Sequence, residues 1–480
     1  MEFGKQVGNF WLIVAAINSI HFAVHGQVDT KIDTYTLIDC LNTALEKNTN
    51  IRVSKQDLEE VKGLEIEARA VLYPRLDLGA NLQMENEDLF EDEEIDRTAE
   101  EDPGFQEEWS VNLTLSHSIY SGGINRNQVA IAELEKEVAF IEFQEIINTE
   151  LFLVKEAFYE VLLYSEEAKI QSDIIDLLSQ EVVKQKRLFD AGRASKFDIV
   201  RTEVRLANEK PSFIEARTKL QIAAIDLAEA MGLRWVGGTD QLPLKVQGQL
   251  FCPELAYSLD ELIERALSKR PEPLRFSKEI EIERRSAKIA RASNIPRINA
   301  FVRGSLERDT SQEERTDPTQ SDNQSFTDSQ TEFSFGLLGV WNIFDGFRGK
   351  GAAEAAEARQ RAAQIQLDDA NRVIEFDVRR AYLRLRRAEG LVASQSGNVD
   401  KAREALDLVN KSLEAGRNDL FDVLQTTVDL NRALTTELRA KFAYHQALAE
   451  LEQATFTRRL KVSNQSIIKQ KEITPSEQTQ

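Results

Sequence analysis

The sequence predicts a mainly α-helical chain of long antiparallel coiled-coil helices, with four β-strands that contribute to a membrane β-barrel. Three observations carry this. The chain is duplicated at a domain-sized offset. Each copy holds helical stretches far longer than an ordinary globular domain uses. Each copy also holds two period-two segments long enough to cross a bilayer at a tilt.

The duplication is read from turn signals. Tyr120-Ser121-Gly122 is matched by Phe344-Asp345-Gly346, and Ala191-Gly192-Arg193 by Ala415-Gly416-Arg417 (346 − 122 = 224; 416 − 192 = 224). Upstream, Tyr73-Pro74-Arg75-Leu76 is matched by Ile295-Pro296-Arg297-Ile298, and Ala44-Leu45 by Ala266-Leu267 (296 − 74 = 222; 266 − 44 = 222). A period this long is a duplicated half rather than a solenoid unit. A loop between the Pro and Gly markers absorbs the two-residue slip. This gives a first repeat over 27–232, a joining segment over 233–257 and a second repeat over 258–457.

In chain order, Lys5 precedes the apolar run Phe10–Ile17, and small residues follow near Ala23 and Gly26. Asn18 and Ser19 interrupt the run too early for a spanning helix, so residues 1–26 read as a secretory signal peptide, with an uncleaved anchor as the alternative. Leu37–Tyr73 and Leu259–Ile295 read as shorter helices. After Gly123, there is no Pro and no Gly as far as Asp190. One helix of that length would span about 100 Å at about 1.5 Å per residue. Ile147, Leu151, Val154, Phe158, Val161, Ser165, Ala168, Gln171, Ile175, Leu178, Val182, Gln185 and Phe189 follow alternating steps of four and three, the spacing of a coiled-coil seam. Ala191-Gly192 ends the helix, because glycine takes the left-handed conformation that closes a C-terminus. Ser195 or Asp198 caps the return helix, which runs to about Met231. The second half repeats the hairpin, with Lys350–Glu414 as its long arm and Gly351, Gly390 and Gly397 as weak points. A short helix and a return helix together match the long helix in length, so the two can stack end to end beside it.

The strands follow Pro74 and Pro296. Leu76, Leu78, Ala80, Leu82 and Met84 alternate with polar residues, as do Trp109, Val111, Leu113 and Leu115. Ile298, Ala300, Val302 and Leu306 form the third apolar face, with Phe301 breaking the polar side. Phe333, Phe335, Leu337, Trp341 and Ile343 form the fourth. Tyr73, Tyr120, Trp341 and Phe344 fall at the helix-side ends, where an aromatic girdle belongs. Four strands do not close a barrel, and an open edge in lipid leaves backbone groups unpaired. Several chains must therefore share one barrel, and these arguments allow eight strands in a dimer or twelve in a trimer.

Composition narrows the function. The 480 residues include 60 basic and 81 acidic side chains, for a formal charge of −21. That opposes nucleic-acid binding, which needs clustered cations. Two Cys give no disulfide scaffold; Cys40 aligns with Leu262 as a core position, and a bridge to Cys252 is the lesser alternative. His21 and His25 lie in the signal, and His117 and His445 are isolated. No catalytic constellation, metal-ligand spacing or phosphate loop occurs, so neither enzyme activity nor a cofactor is expected. Residues 85–108 hold 13 acids and read as an external loop between strands, 308–330 as its polar counterpart, and 458–480 as a disordered tail.

With its two halves, its Tyr120-Ser121-Gly122-Gly123 and Phe344-Asp345-Gly346 turns, and Ala-Gly-Arg tips followed by Phe197-Asp198-Ile199 and Phe421-Asp422-Val423, the chain resembles the TolC-like outer membrane efflux protein family over about residues 35–457. The resemblance implies a homotrimer: a twelve-stranded barrel in outer membrane lipid, continued by an α-barrel tunnel through the periplasm. It implies a passive exit duct for efflux or type I secretion. It also implies docking of a periplasmic adaptor, which links the duct to an inner-membrane pump of RND or ABC type. By matching motif the docking tips are Gly192, Arg193, Ala194, Ser195 and Phe197, and Gly416, Arg417, Asn418, Leu420 and Phe421. The periplasmic gate would hold Asp422, with Gln425 where relatives place a second carboxylate. Two plainer readings stand beside these: Phe197 and Phe421 packed within their own hairpins, and Asp422 stabilised by its helix dipole. The competing function is a structural coiled-coil scaffold with a small sheet, anchored or soluble.

Overall fold

The computed structural model describes residues 34–85, 106–234, 242–253, 255–309, 328–415, 417–457 and 460. Residues 1–33, which include the expected signal peptide, the segments 86–105, 235–241 and 310–327, Glu254, Gly416 and residues 458–459 and 461–480 lie outside the described residues.

The first half runs β1 (Thr34–Tyr35), α1 (Leu37–Lys47), α2 (Thr49–Ala70), β2 (Arg75–Glu85), β3 (Gln106–Tyr120), α3 (Ile124–Asp190) and α4 (Lys196–Ala230). After β4 (Lys245–Val246), the second half repeats the order as α5 (Leu259–Lys269), α6 (Glu272–Arg291), β5 (Arg297–Asp309), β6 (Asp328–Val340), α7 (Arg348–Gln395), α8 (Asn398–Glu414) and α9 (Leu420–Ala454). Glu85 and residues 106–108, expected in the first external loop, therefore belong to β2 and β3, and residues 308–309 and 328–330, expected in its counterpart, belong to β5 and β6. Trp341 and Ile343 fall just beyond β6 rather than within it.

The short helices are each broken in two. Asn48 separates α1 from α2, with its side chain accepting the Ile51 N–H at 3.0 Å, and Pro271 opens α6. Proline suits that first turn because its missing N–H would have no partner there. Capping boxes at Thr36–Asp39 and Ser258–Glu261 start α1 and α5, repeating at the 222 offset. The 67-residue α3 is unbroken. In the second half only Gly397 interrupts the long arm, at φ +76°, whereas Gly351 and Gly390 lie inside α7. Helix α4 continues through Pro211, where one backbone hydrogen bond is lost.

Helices α1, α2 and α4 all lie along α3, and α5, α6 and α9 along α7. The ends of α2 and α4 meet at Asn48, whose amide donates to the Ala230 carbonyl at 2.9 Å and to Glu150 at 2.8 Å. There Gly232 sits so close to the Lys47 carbonyl that a Cβ would lie 2.3 Å from it. Each half has its own apolar core. One gathers Cys40, Ala44, Val154, Phe158, Val161 and Leu227; the other gathers Leu262, Ala266, Val378, Leu385, Tyr444 and Leu451. Cys40 and Cys252 are free thiols. Leu460, within the expected tail, is buried in the second core and donates its N–H to Glu452 at 3.0 Å. Of the seam on α3, Val154, Phe158, Val161, Gln171, Leu178, Val182 and Gln185 are buried, while Ser165 and Phe189 are exposed.

Between the halves, Ile174, Leu178, Leu420 and Leu424 form a small apolar cluster near the hairpin tips, and ion pairs add polar contacts. Lys155 and Glu452, both largely buried, pair at 2.6 Å, and Arg439 reaches Glu167 at 2.9 Å. Buried charges are held only when paired in this way.

Candidate functional site

The four long strands form one antiparallel sheet in the order β2-β3-β5-β6. Its register places Leu76, Leu115, Val302 and Phe335 in one cross-strand row, and Leu78, Leu113, Gly304 and Phe333 in the next. Asp77, Thr114, Arg303 and Ser334 share a row on the opposite face. Period-two alternation thus segregates an apolar face from a polar one. Phe301, the exception, lies on the polar face over Gly336, where a Cβ would stand 3.3 Å from its ring. The apolar face is uncovered: Leu78 is 73% and Phe335 75% exposed. Among the described residues, strands β2 and β6 are the sheet's edges, each paired on one side only.

At the far end of the helices the hairpin tips close by local chemistry. Gly192 takes φ +72°, the Arg193 N–H donates to the Leu188 carbonyl at 2.8 Å, and the Gly192 N–H to the Phe189 carbonyl at 2.8 Å. This pattern satisfies the last carbonyls of α3. Ser195 is the cap of α4. Its hydroxyl accepts the Asp198 N–H at 3.2 Å, and the Asp198 carboxylate accepts from the Ser195 N–H and hydroxyl at 3.0 and 2.7 Å. The Ser195 hydroxyl holds the Asp198 carboxyl below its usual range. In the second tip the Arg417 N–H donates to the Ser412 carbonyl at 2.9 Å, and Asp419 caps α9 through the Asp422 N–H at 3.1 Å.

The two tips meet. The Arg201 guanidinium lies 4.7 Å from the Phe421 ring centre and 5.9 Å from that of Phe197. Phe197 is 68% and Phe421 48% exposed, so neither ring is absorbed by its own hairpin. Gly192, Arg193, Ser195, Arg417 and Asn418 are exposed, and Ala194 is half-buried. Leu420 does not fit the expected docking set: it is buried against Ile174, Leu178 and Leu424 between the hairpins. Its place in the first turn of α9 turns it inward, toward the seam.

Asp422 accepts a hydrogen bond from Asn418 at 3.0 Å, and the exposed Gln425 donates to Asp429 at 3.5 Å. Steps of three and four place Asp422, Gln425 and Asp429 on one face of α9. Asp429 and Arg201 were not singled out in the sequence. The helical spacing marks Asp429; no sequence signal marks Arg201, whose role comes from the approach of the second hairpin.

The sequence profile of the family described as "Outer membrane efflux protein" matches residues 40–233 and 262–455, two segments offset by 222 (262 − 40). The alkaline protease secretion protein AprF of Pseudomonas aeruginosa is 22% identical over 418 residues, covering 86% of this chain and 83% of that protein. The outer membrane protein OprJ of the same organism is 25% identical over 174 residues, covering 36% of this chain and 34% of that protein. Among solved structures, the Campylobacter jejuni CmeC outer membrane channel superposes with a TM-score of 0.71 at 12% identity, over 91% of this chain and 89% of that one. The Vibrio cholerae outer membrane protein VceC gives 0.66 at 15% identity, over 87% and 95%. With the profile covering most of both halves of a chain that shares this fold, the chain belongs to the outer membrane efflux protein family, resident in the outer membrane with its helices in the periplasm.

Proposed function

We propose that three copies close a twelve-stranded barrel in the outer membrane and continue it as a helical tunnel, which serves as the passive exit duct of an efflux or secretion system. The observation that carries this is the sheet: four strands, two unpaired edges and one uncovered apolar face. In lipid the apolar face is solvated by acyl chains, and the edges must pair with edges of neighbouring copies. The polar face, with Asp77, Arg303 and Ser305, then lines a wet lumen. The alkaline protease secretion relative supports protein as one cargo class.

At the periplasmic end, the exposed Arg193, Phe197, Arg417 and Phe421 form the surface for a periplasmic adaptor coupled to an inner-membrane pump. Exposed aromatic and Arg side chains are the residue types that anchor protein interfaces. Threefold symmetry gathers three Asp422 carboxylates around the axis, with Asp429 one turn beyond Gln425. Crowded carboxylates draw cations into the constriction and disfavour anions. Planar-bilayer conductance tests the duct. The purified protein should form channels that lumenal divalent cations block, and Asp422→Ala should weaken the block. No conductance would end the duct reading; a block unchanged in Asp422→Ala would remove Asp422 from the gate.

A further inference from the structure

We infer that the second strand-to-helix corner, at Phe347, Arg348 and Lys350, is a phospholipid-binding anchor at the inner-leaflet interface, absent from the matching corner of the first half. The inference rests on the sheet lying in the membrane. Phe347 adopts φ +68° and ψ 11°, a left-handed geometry that opposes any side chain with a Cβ. At the matching position of the first half stands Gly123, at φ +87° (347 − 123 = 224), which takes that geometry freely.

The chain gives Phe347 little in return. Its ring is 70% exposed, and its ring contact is Phe344, edge-on at 5.4 Å and itself exposed. The turn is fixed by other groups. The Asp345 carboxylate accepts the Gly349 N–H at 2.8 Å and the Ser293 hydroxyl at 3.2 Å, and Gly346 supplies a further left-handed residue. Gly349 leaves no room for a Cβ beside Ser293. A rigid corner therefore holds a strained, exposed aromatic outward, and strain of this kind points to a role outside the chain.

The surroundings identify the partner. Trp341, Ile343 and Phe344 are also exposed at this end of the sheet, next to the apolar rows, and the Trp341 indole N–H is satisfied by the Asn294 carbonyl at 3.0 Å. Arg348 and Lys350 are exposed on either side of Gly349. An aromatic body flanked by cations fits the boundary where acyl chains meet headgroup phosphates. The first corner offers His117, Tyr120, Gly123, Ile124 and Arg126 at the equivalent positions, with neither the ring at 123 nor the cation at 124.

Nitroxide depth measurement tests this. Burial pushes the thiols of Cys40 and Cys252 up to about 12, so a cysteine introduced on the surface labels selectively. Labels are placed at Phe347→Cys, Leu337→Cys and Arg361→Cys in the full-length protein, in nanodiscs of phosphatidylcholine with or without phosphatidylglycerol. The account expects the label at 347 to collide more with oxygen than with a water-soluble nickel chelate, at a depth between those at 337 and 361. It also expects phosphatidylglycerol to raise the thermal midpoint of the wild type, and an Arg348→Ser, Lys350→Ser double variant to lose that rise. A label at 347 as wet as that at 361, with 337 in lipid, overturns the anchor and leaves the barrel standing. A wet label at 337 removes the barrel and the anchor together. If Phe347→Cys does not fold, Phe347→Trp in a background whose native Trp are changed to Phe replaces it, and quenching by brominated lipid, relative to that background alone, reads the same depth.

Discussion

The two halves share an element order and a pair of matched cores, yet the long arms of their periplasmic hairpins differ in continuity. The first is carried by α3, whose hydrogen-bond ladder is unbroken for 67 residues, and its return helix starts with a capping box. The second is interrupted at the left-handed Gly397, which leaves α8 as a 17-residue piece, and its return helix has the Asp419 cap alone. A continuous helix transmits force as a strut, whereas a glycine break concentrates bending at one place.

The strongest test of the shared part compares cores. Leu227 and Leu451 are matched (451 − 227 = 224) and fully buried. Leu227→Ala and Leu451→Ala should each cost about 2–5 kcal/mol through lost burial and a residual cavity. Thermal unfolding should show similar losses; a large loss in one variant alone would break the equivalence.

Next in size is a difference in pH response. His445 is buried in α9, stacked on Tyr159 at 4.5 Å, while its first-half match is Gln221. Burial lowers the His445 pKa from 6.5 to about 4, with the Phe251 backbone acting weakly the other way. Between those values the unfolded chain binds a proton that the folded chain does not, so stability falls as pH drops from about 6.5 toward 4. The loss should be on the order of 2–3 kcal/mol. Unfolding measured across that window should lose this component in His445→Gln; an unaltered profile would clear His445 of the effect.

Smaller effects probe the hairpins. Ala at position 397 must adopt a left-handed geometry, at a cost of about 1–2 kcal/mol, or straighten the arm. Hydrogen exchange over 390–405 distinguishes the two, rising if the break persists under strain and slowing if the helix becomes continuous. Ser195→Ala removes the capping box and should cost about 1 kcal/mol. Exchange should rise in the first turn of α4 and not in α9; a rise in both would mean that the tips are coupled through Arg201.

Much of this was legible in the sequence because it is periodic. The alternation at Leu76–Met84 and the absence of Pro and Gly from 124 to 190 fix strand and helix by local chemistry alone. Glycine signals placed both tips. What the sequence did not reveal depends on contacts between distant segments. The break at Asn48 follows from its bonds to Ala230 and Glu150, and the burial of Leu420 from α3 beside it. Ser165 and Phe189 continue the heptad spacing but lie exposed, because spacing states which residues share a face and not how far the partner helix reaches. Among the three glycines of the second arm, only Gly397 adopts a positive φ; composition alone does not separate it from Gly351 and Gly390.

The central claim is that the edges β2 and β6 pair between copies. Cysteines placed along β2 at Gly79 and along β6 at Gly336 and Leu338, oxidised in outer membranes, test it most directly. The account predicts a covalent ladder that ends at three chains, formed by at least one β2–β6 combination. Only intrachain products, or a ladder ending at one or two chains with the sheet intact, would contradict it.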